Sequence, residues 1–277
     1  MIESTETKES GKAQPTTIPR GMIACLRDPA GLAPLELDGD TLVNRTSGRR
    51  YFIRDSIPLL VDETALGPQN AKIQKFYRRM AGVFDIGDRV ANWLTRGSLI
   101  KMRRQMVSRL GLKPGQRLLY TSIGTGLDLP FLAEQVPLDS LEFVGLDLSL
   151  EMLRVCQARM PQYAREALLV QANAERLPLA GGRFDVVLHV GGINQFDDPA
   201  AAVREMLRVA RPGARLFIAD ETKKMVKTFY QKWLPDYRDM PTEFDPRDWL
   251  PPGVQDAAYE EVARGRIYFL TFTAPKE

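Results

Sequence analysis

From Gln116 onward, apolar runs and amphipathic stretches alternate in a regular rhythm. Runs rich in Leu, Val, Ile and Phe predict strands at Arg117 to Ser122, Glu142 to Leu146, Ala167 to Gln171, Phe184 to Val190 and Arg215 to Asp220. Between them, apolar positions at helical spacing predict helices at Asp128 to Gln135, Ser149 to Met160 and Pro199 to Ala210. Parallel strands need crossovers of about this length, so the alternation predicts a mostly parallel sheet covered by helices on both faces. The rhythm breaks at the end. Two strand-like runs within Ala257 to Thr273 flank Arg264-Gly265 and predict an antiparallel hairpin at the sheet edge. The fold class is α/β and doubly wound.

Upstream, the pattern changes twice. Residues 1–20 are rich in Ser, Thr, Glu, Lys and Pro and predict a disordered tail. Residues 21–64 hold short apolar stretches separated by turn signals such as Asp38-Gly39 and Ser47-Gly48, which predicts a small β-rich domain of hairpins packed on its neighbour. From Gln69 to Leu110, Ile73, Phe76, Tyr77, Met80, Val90, Trp93 and Leu94 recur at helical spacing. Residues 65–110 are accordingly a helical cap on the larger domain, 65–277. Residues 222–252, broken by Pro235, Pro241, Pro246 and Pro251-Pro252, are a lid or substrate segment.

Composition changes this picture little. The net charge of +3 is spread along the chain, which gives no electrostatic footprint for nucleic acid or an anionic membrane. The densest basic runs, Arg49-Arg50 and Lys101 to Arg104, read as solvated faces. The two cysteines, Cys25 and Cys156, lie far apart, so they make neither a disulfide framework nor a cysteine zinc site. No apolar run is long enough to span a bilayer, and the N-terminus has no signal-peptide core. The expectation is a cytoplasmic protein, with a homodimer left open.

In open α/β sheets, ligands bind at the carboxyl ends of the strands. Strand one ends in Ser122-Ile123-Gly124-Thr125-Gly126-Leu127-Asp128, a glycine turn that leads into a helix N-terminus. Strand two ends in Asp147, 21 residues beyond Gly126, a spacing suited to a carboxylate that accepts hydrogen bonds from ribose hydroxyls. It also suits a cap for the helix near Ser149. Strand three leads to Asn173-Ala174-Glu175, where the amide either pairs with an adenine edge or is an ordinary loop residue. Strand four ends in Val190-Gly191-Gly192 and carries His189, the only histidine. A lone histidine in an apolar strand is more often a core residue than a catalyst.

Taken in order, these four strand ends resemble the class I S-adenosylmethionine-dependent methyltransferases, over roughly Phe76 to the C-terminus. Gln116 to Gly126 is similar to the family's first motif, Phe143 to Asp147 to its ribose strand, and Ala172 to Pro178 to its adenine segment. Asp198-Pro199, Glu205 and Arg208 to Gly213 resemble its closing helix and turn. Within the class the chain is most similar to the ubiquinone/menaquinone C-methyltransferases. The resemblance implies a seven-stranded sheet with an antiparallel last strand. It implies S-adenosylmethionine as cofactor and S-adenosylhomocysteine as product, held by Ser122, Gly124, Thr125, Gly126, Asp147, Leu148, Met152, Asn173, Ala174 and Val190. His189 and Asp128 are the candidates for a base. Three positions depart from the family pattern: Tyr120 for a strand-one carboxylate, Ser122 for the first glycine, and Asn173 for a strand-three carboxylate. Asp128 is a substitute for the missing acid.

The N-terminal unit resembles the zinc-ribbon-like domain that accompanies several methyltransferases, in Ala24-Cys25, Pro34 to Leu37 and Gly48 to Asp55 with Ile57-Pro58. Of that family's four cysteines only Cys25 remains. Its partner falls near Asp28, and the second pair at Asn44 and Ser47, a poor tetrahedral zinc set. The expectation is no zinc and no other metal. Three functions compete: methyl transfer to a small apolar or aromatic acceptor, a non-catalytic or repurposed protein with weakened cofactor binding, and RNA methylation. Near-neutral charge and the lost zinc ligands speak against the third, and no nucleic-acid partner is expected.

Overall fold

The computed structural model describes residues 18–94, 96–164, 166–233 and 243–276. Its main sheet has seven strands: β5 (Arg117–Tyr120), β6 (Glu142–Asp147), β7 (Ala167–Gln171), β8 (Phe184–Val190), β9 (Ala210–Glu221), β10 (Gln255–Val262) and β11 (Ile267–Thr273). Their spatial order is β10-β11-β9-β8-β5-β6-β7. From β7 to β9 the pairings are parallel, and β11 runs antiparallel to both β9 and β10. The order reverses between β5 and β8, which opens a crevice above their carboxyl ends.

Successive residues of a strand face opposite sides, and here the two sides build two cores. Leu119, Val144, Leu146, Val170 and Leu216 pack on one face with Val203 and Met206 of helix α7 (Pro199–Val209). Leu118, Tyr120, Phe143, Leu169 and Phe217 pack on the other. There they meet helices α4 (Ser98–Ser108), α5 (Leu129–Gln135) and α6 (Leu150–Arg159). Burial on both sides explains why these strands read as nearly continuous apolar runs. The sequence expectation for the sheet is met, with one difference. Arg211-Pro212-Gly213 does not precede β9 but lies inside it, where the ladder to β8 shifts register between Phe184 and Val186.

The N-terminal unit contains a short helix α1 (Arg20–Ile23) and a four-stranded antiparallel sheet in the order β1 (Glu36–Asp38), β2 (Thr41–Val43), β3 (Arg50–Arg54), β4 (Ile57–Pro58). It docks on the larger sheet in two ways. Cys25 and Leu26 sink into the α7-side core, and Arg27 and Ala180 exchange backbone bonds with Pro178 and Cys25. Just past β4, Leu60 N–H donates to Gln171 C=O of β7 at 2.9 Å. The tail expected at 1–20 falls, for 1–17, outside the described residues.

The positions that resemble zinc ligands hold one another by hydrogen bonds. Asn44 Nδ2 donates to Asp28 Oδ2 at 2.5 Å, and Tyr51 O–H donates to Asp28 Oδ1 at 2.6 Å. Asn44 Oδ1 accepts from the amides of Thr46 and Ser47, and Asp28 Oδ1 from that of Ala30. Burial acts to raise the Asp28 carboxyl, but the bonds from Tyr51 and Asn44 outweigh it and hold the carboxyl below its usual range. Cys25 turns away into the core, its thiol donating to Met22 C=O at 2.9 Å and pushed up to about 11 by burial.

Three helices occupy the stretch read as a cap: α2 (Pro68–Met80), α3 (Phe84–Leu94) and α4. Asp197 fixes the start of α2, its carboxylate accepting from the amides of Gln69 and Asn70. Asn44→Ala should leave the Asp28 carboxylate and two turn amides short of partners, at a cost of about 2 kcal/mol in urea denaturation. An ionised Asp28 stabilises the fold only while its pKa lies below the unfolded one. The difference from the parent should therefore shrink as pH falls below the ordinary value of 3.8.

Candidate functional site

The glycine turn after β5 sits at the sheet's reversal point. Gly124 and Gly126 both have positive φ, 55° and 76°, which favours glycine. Their surroundings differ. A Cβ on Gly126 would stand 2.7 Å from Leu129 Cδ1 and 2.9 Å from Cys156 Sγ, so this glycine lets α5 and α6 close against the turn. A Cβ on Gly124 would meet nothing within 4 Å, and the same holds at Gly191 and Gly192 after β8. The open side of the turn therefore faces space at the strand ends.

Asp147, at the end of β6, borders that space. One carboxylate oxygen accepts from Gly124 N–H at 2.9 Å and the other from Ser149 N–H at 2.9 Å. Each oxygen keeps further acceptor capacity. Burial lifts the Asp147 carboxyl to about 6, with its three backbone bonds pulling the other way. Ser149 is the N-cap of α6, its hydroxyl accepting from Met152 N–H. Asp147 thus joins the turn to the helix start rather than capping the helix itself.

Three departures from the family pattern acquire a physical account. Ser122 ties two strand ends together, its hydroxyl accepting from Val190 N–H at 2.9 Å and donating to Val190 C=O at 3.1 Å. Tyr120 is buried, and its hydroxyl donates to Asp128 Oδ2 at 2.5 Å. Asn173 Oδ1 accepts from Glu175 N–H in a local turn. Asp128 also receives Arg103 Nη1 on its other oxygen at 2.5 Å, and Arg103 reaches Asp88 of α3 at 2.8 Å. The basic run Lys101 to Arg104 is therefore not simply a solvated face. The Arg103 side chain is only 15% exposed, and its two carboxylates keep it charged against the burial penalty. Nothing in the local sequence signals that pairing, because its partners lie 15 and 25 residues away.

His189 is fully buried, with Nδ1 2.8 Å from Thr121 Oγ1 and Nε2 3.1 Å from Gly191 C=O. A carbonyl only accepts, so Nε2 carries the proton and Thr121 donates to Nδ1. Burial pushes His189 down to about 4, so the ring is neutral at physiological pH. Both base candidates are tied to protein partners: Asp128 holds Arg103 and Tyr120, and both His189 nitrogens are engaged.

Helices α2 and α3 contact the same strand ends. Thr125 O–H donates to Asp85 Oδ1 of α3 at 2.6 Å, and Arg159 of α6 pairs with the same carboxylate. Gln74 of α2 donates to Leu148 C=O at 3.3 Å, and Asn70 to Glu175 at 2.7 Å. Leu148 and Asn173 are partly exposed along this line, while Ala174 and Met152 are buried behind them. Strand ends also show a residue that the sequence reading passed over. Asp220, buried at the end of β9, accepts from Asn194 N–H at 3.0 Å, and burial beside Glu221 holds its carboxyl well above the usual range. Reading strand five with the same rule as the first four would have flagged it.

The aromatic residues of the cap and of residues 222–252 differ in their surroundings. Phe244 and Trp249 stack at 5.9 Å and pack against the core, and Trp93 is 76% exposed. Phe229, Tyr230, Trp233 and Tyr237 lie outside the residues whose side chains are described. Among the described residues, no group of three or more His, Cys, Asp or Glu is placed to hold a metal ion, and no helix is long and apolar enough to cross a membrane.

Comparison with known proteins agrees with this geometry. Residues 119–218 match the methyltransferase domain family. The demethylmenaquinone methyltransferase of Renibacterium salmoninarum is 30% identical over 63% of this chain and 70% of its own. The ubiquinone/menaquinone biosynthesis C-methyltransferase of Geotalea uraniireducens is 29% identical over 71% of this chain and 86% of its own. Among solved structures, a chain from the complex of the Haloferax volcanii Trm112 methyltransferase activator with a methyltransferase shares the fold. It has a TM-score of 0.55 and 17% identity, over 72% of this chain and 97% of that one. The chain belongs to the family of S-adenosylmethionine-dependent methyltransferases that includes these demethylmenaquinone and ubiquinone/menaquinone enzymes.

Proposed function

We propose that the chain transfers the methyl group of S-adenosylmethionine to a small apolar or aromatic acceptor of quinone type, and releases S-adenosylhomocysteine. The observation that carries this reading is the open face of Gly124 beside a carboxylate, Asp147, whose oxygens are only partly used. A glycine turn backed by a helix N-terminus suits the polar amino-acid end of the cofactor, and Asp147 suits its ribose. Leu148, Asn173 and Ala174 border the adenine end, with Met152 behind them. Thr125 and Val190 flank the turn, and Ser122 keeps the two strand ends at a fixed spacing. The acceptor class follows the names of the relatives, which act on quinone precursors.

When bound, the cofactor supplies an electrophilic methyl group on a positively charged sulfur. The protein's part is to align the acceptor with that methyl and to exclude water. Asp128 and His189 are positioning residues in this reading. Asp128 anchors Arg103 and Tyr120, and His189 buttresses the turn through Thr121 and Gly191. The pinned cap, α2 and α3, covers the site and admits an apolar acceptor.

Radiolabelled S-adenosylmethionine offered with reduced naphthoquinones should label the organic phase, whereas bulk RNA should stay unlabelled. Label in RNA alone would overturn the acceptor class. Asp147→Asn should weaken S-adenosylhomocysteine binding by about tenfold to a hundredfold in calorimetry, the loss of charge-assisted hydrogen bonds. Ribose donors favour the ionised carboxylate, whose free-state pKa is about 6. Affinity should therefore be flat above that pH and fall about tenfold per unit below it. His189→Asn should lower thermal stability but leave kcat within about threefold, since loss of a general base would cost about a hundredfold or more.

A further inference from the structure

Among the described residues, six of the nine exposed large hydrophobic side chains fall between Val83 and Ile100. Scattered single exposures are ordinary on a soluble surface, but a contiguous set marks an interaction face. Four of these six are on α3: Ile86, Val90, Trp93 and Leu94, 56%, 50%, 76% and 67% exposed. Their spacing places them on one side of the helix. Asp85 and Asp88 fall on the opposite side, where they bond Thr125, Arg159 and Arg103. Helix α3 is therefore amphipathic in reverse. Its polar face is turned inward onto the glycine turn and its apolar face outward.

Charge follows the same division. Lys75, Arg78, Arg79, Arg89, Arg96 and Lys101 are exposed on and around α2 to α4. Between Pro68 and Arg104 the only carboxylates are Asp85 and Asp88, both partly buried and ion-paired. The even charge balance of the whole chain conceals this local segregation.

We propose that the outer face of α3 docks the protein on an anionic lipid surface, with Trp93, Leu94, Val90 and Ile86 entering the headgroup boundary and the surrounding cations meeting lipid phosphates. Arg89 lies within α3 and Arg96 just beyond it, and an apolar face flanked by cations is the arrangement that an interfacial helix needs. A second copy of the chain would bring like charges together, and a nucleic acid would leave the aliphatic ridge unused. Because the inner face of α3 holds the glycine turn, docking places the cap and the strand ends beneath it next to the bilayer. This inference stands on the surface alone and is independent of the acceptor assigned above.

Flotation of the full chain with vesicles tests it. Vesicles of equal parts phosphatidylglycerol and phosphatidylcholine should carry the protein upward, and phosphatidylcholine alone should carry about tenfold less. Added salt should release it, as screening weakens the cationic contribution. Trp93→Ser with Leu94→Ser should lower partitioning by about tenfold or more. These side chains are exposed, so the variant should keep the parent's thermal midpoint and its affinity for S-adenosylhomocysteine, measured without vesicles. Equal flotation of parent and variant, or no flotation of the parent on anionic vesicles, overturns the proposal. So does a parent dimer in analytical ultracentrifugation that the double variant dissolves, since the face would then serve self-association.

Discussion

A carboxylate cannot stay ionised inside a protein without compensation, and the position of Asp128 turns that rule into architecture. It lies between the glycine turn and α5, almost wholly buried. Tyr120 reaches it from β5 and Arg103 from α4, and Arg103 in turn reaches Asp88 of α3. One buried charge therefore links the central strand, the helix that follows the turn, and two of the three helices above it. The methyltransferase resemblance implies a carboxylate on the strand where Tyr120 stands. Here the strand supplies a hydroxyl, and it donates to Asp128, eight residues along the chain.

That anchoring gives the site a particular mechanical character. The turn is held from below by Asp147, from the side by the Ser122 bridge to β8, and from above by Asp85 on Thr125. Each contact is a hydrogen bond or ion pair whose loss would leave a partly buried group without a partner. The turn is thus positioned by contacts within the protein, as suits chemistry that depends on alignment. His189 fits that logic, since its neutral ring serves Thr121 and Gly191 and has no nitrogen to spare.

Much of this was legible in the amino-acid order, and the rest was hidden for identifiable reasons. Buried parallel strands bear apolar side chains on both faces, so β5 to β8 announced themselves as short Leu/Val runs close to their observed limits. Asp147 was marked by its spacing from Gly126. Arg103 was not, because a solvated arginine and a buried one look alike in sequence, and only the fold brings Asp128 and Asp88 to it. Tyr120 and Ser122 read as losses when compared with a pattern, but in three dimensions each makes a bond that a carboxylate or a glycine would not. Trp93 and Val90 fitted helical spacing and so read as part of a helical cap. Periodicity identifies an apolar face but does not say whether that face turns inward or outward.

The attachment of the small N-terminal sheet has a bearing on solubility. An open sheet ends in two strands whose outer backbone groups can recruit another chain, and such edges are points where proteins assemble wrongly. On one side, β10 carries Asp256, Glu260 and Glu261, whose repulsion discourages a neighbouring strand. On the other, β7 is an apolar run, Ala-Leu-Leu-Val-Gln, with no such charge. There the chain's own Leu59 lies beside Gln171, and Leu60 N–H donates to its carbonyl. The N-terminal unit thus serves as a guard rail on the unprotected side of the sheet, a role that depends only on where it is fastened.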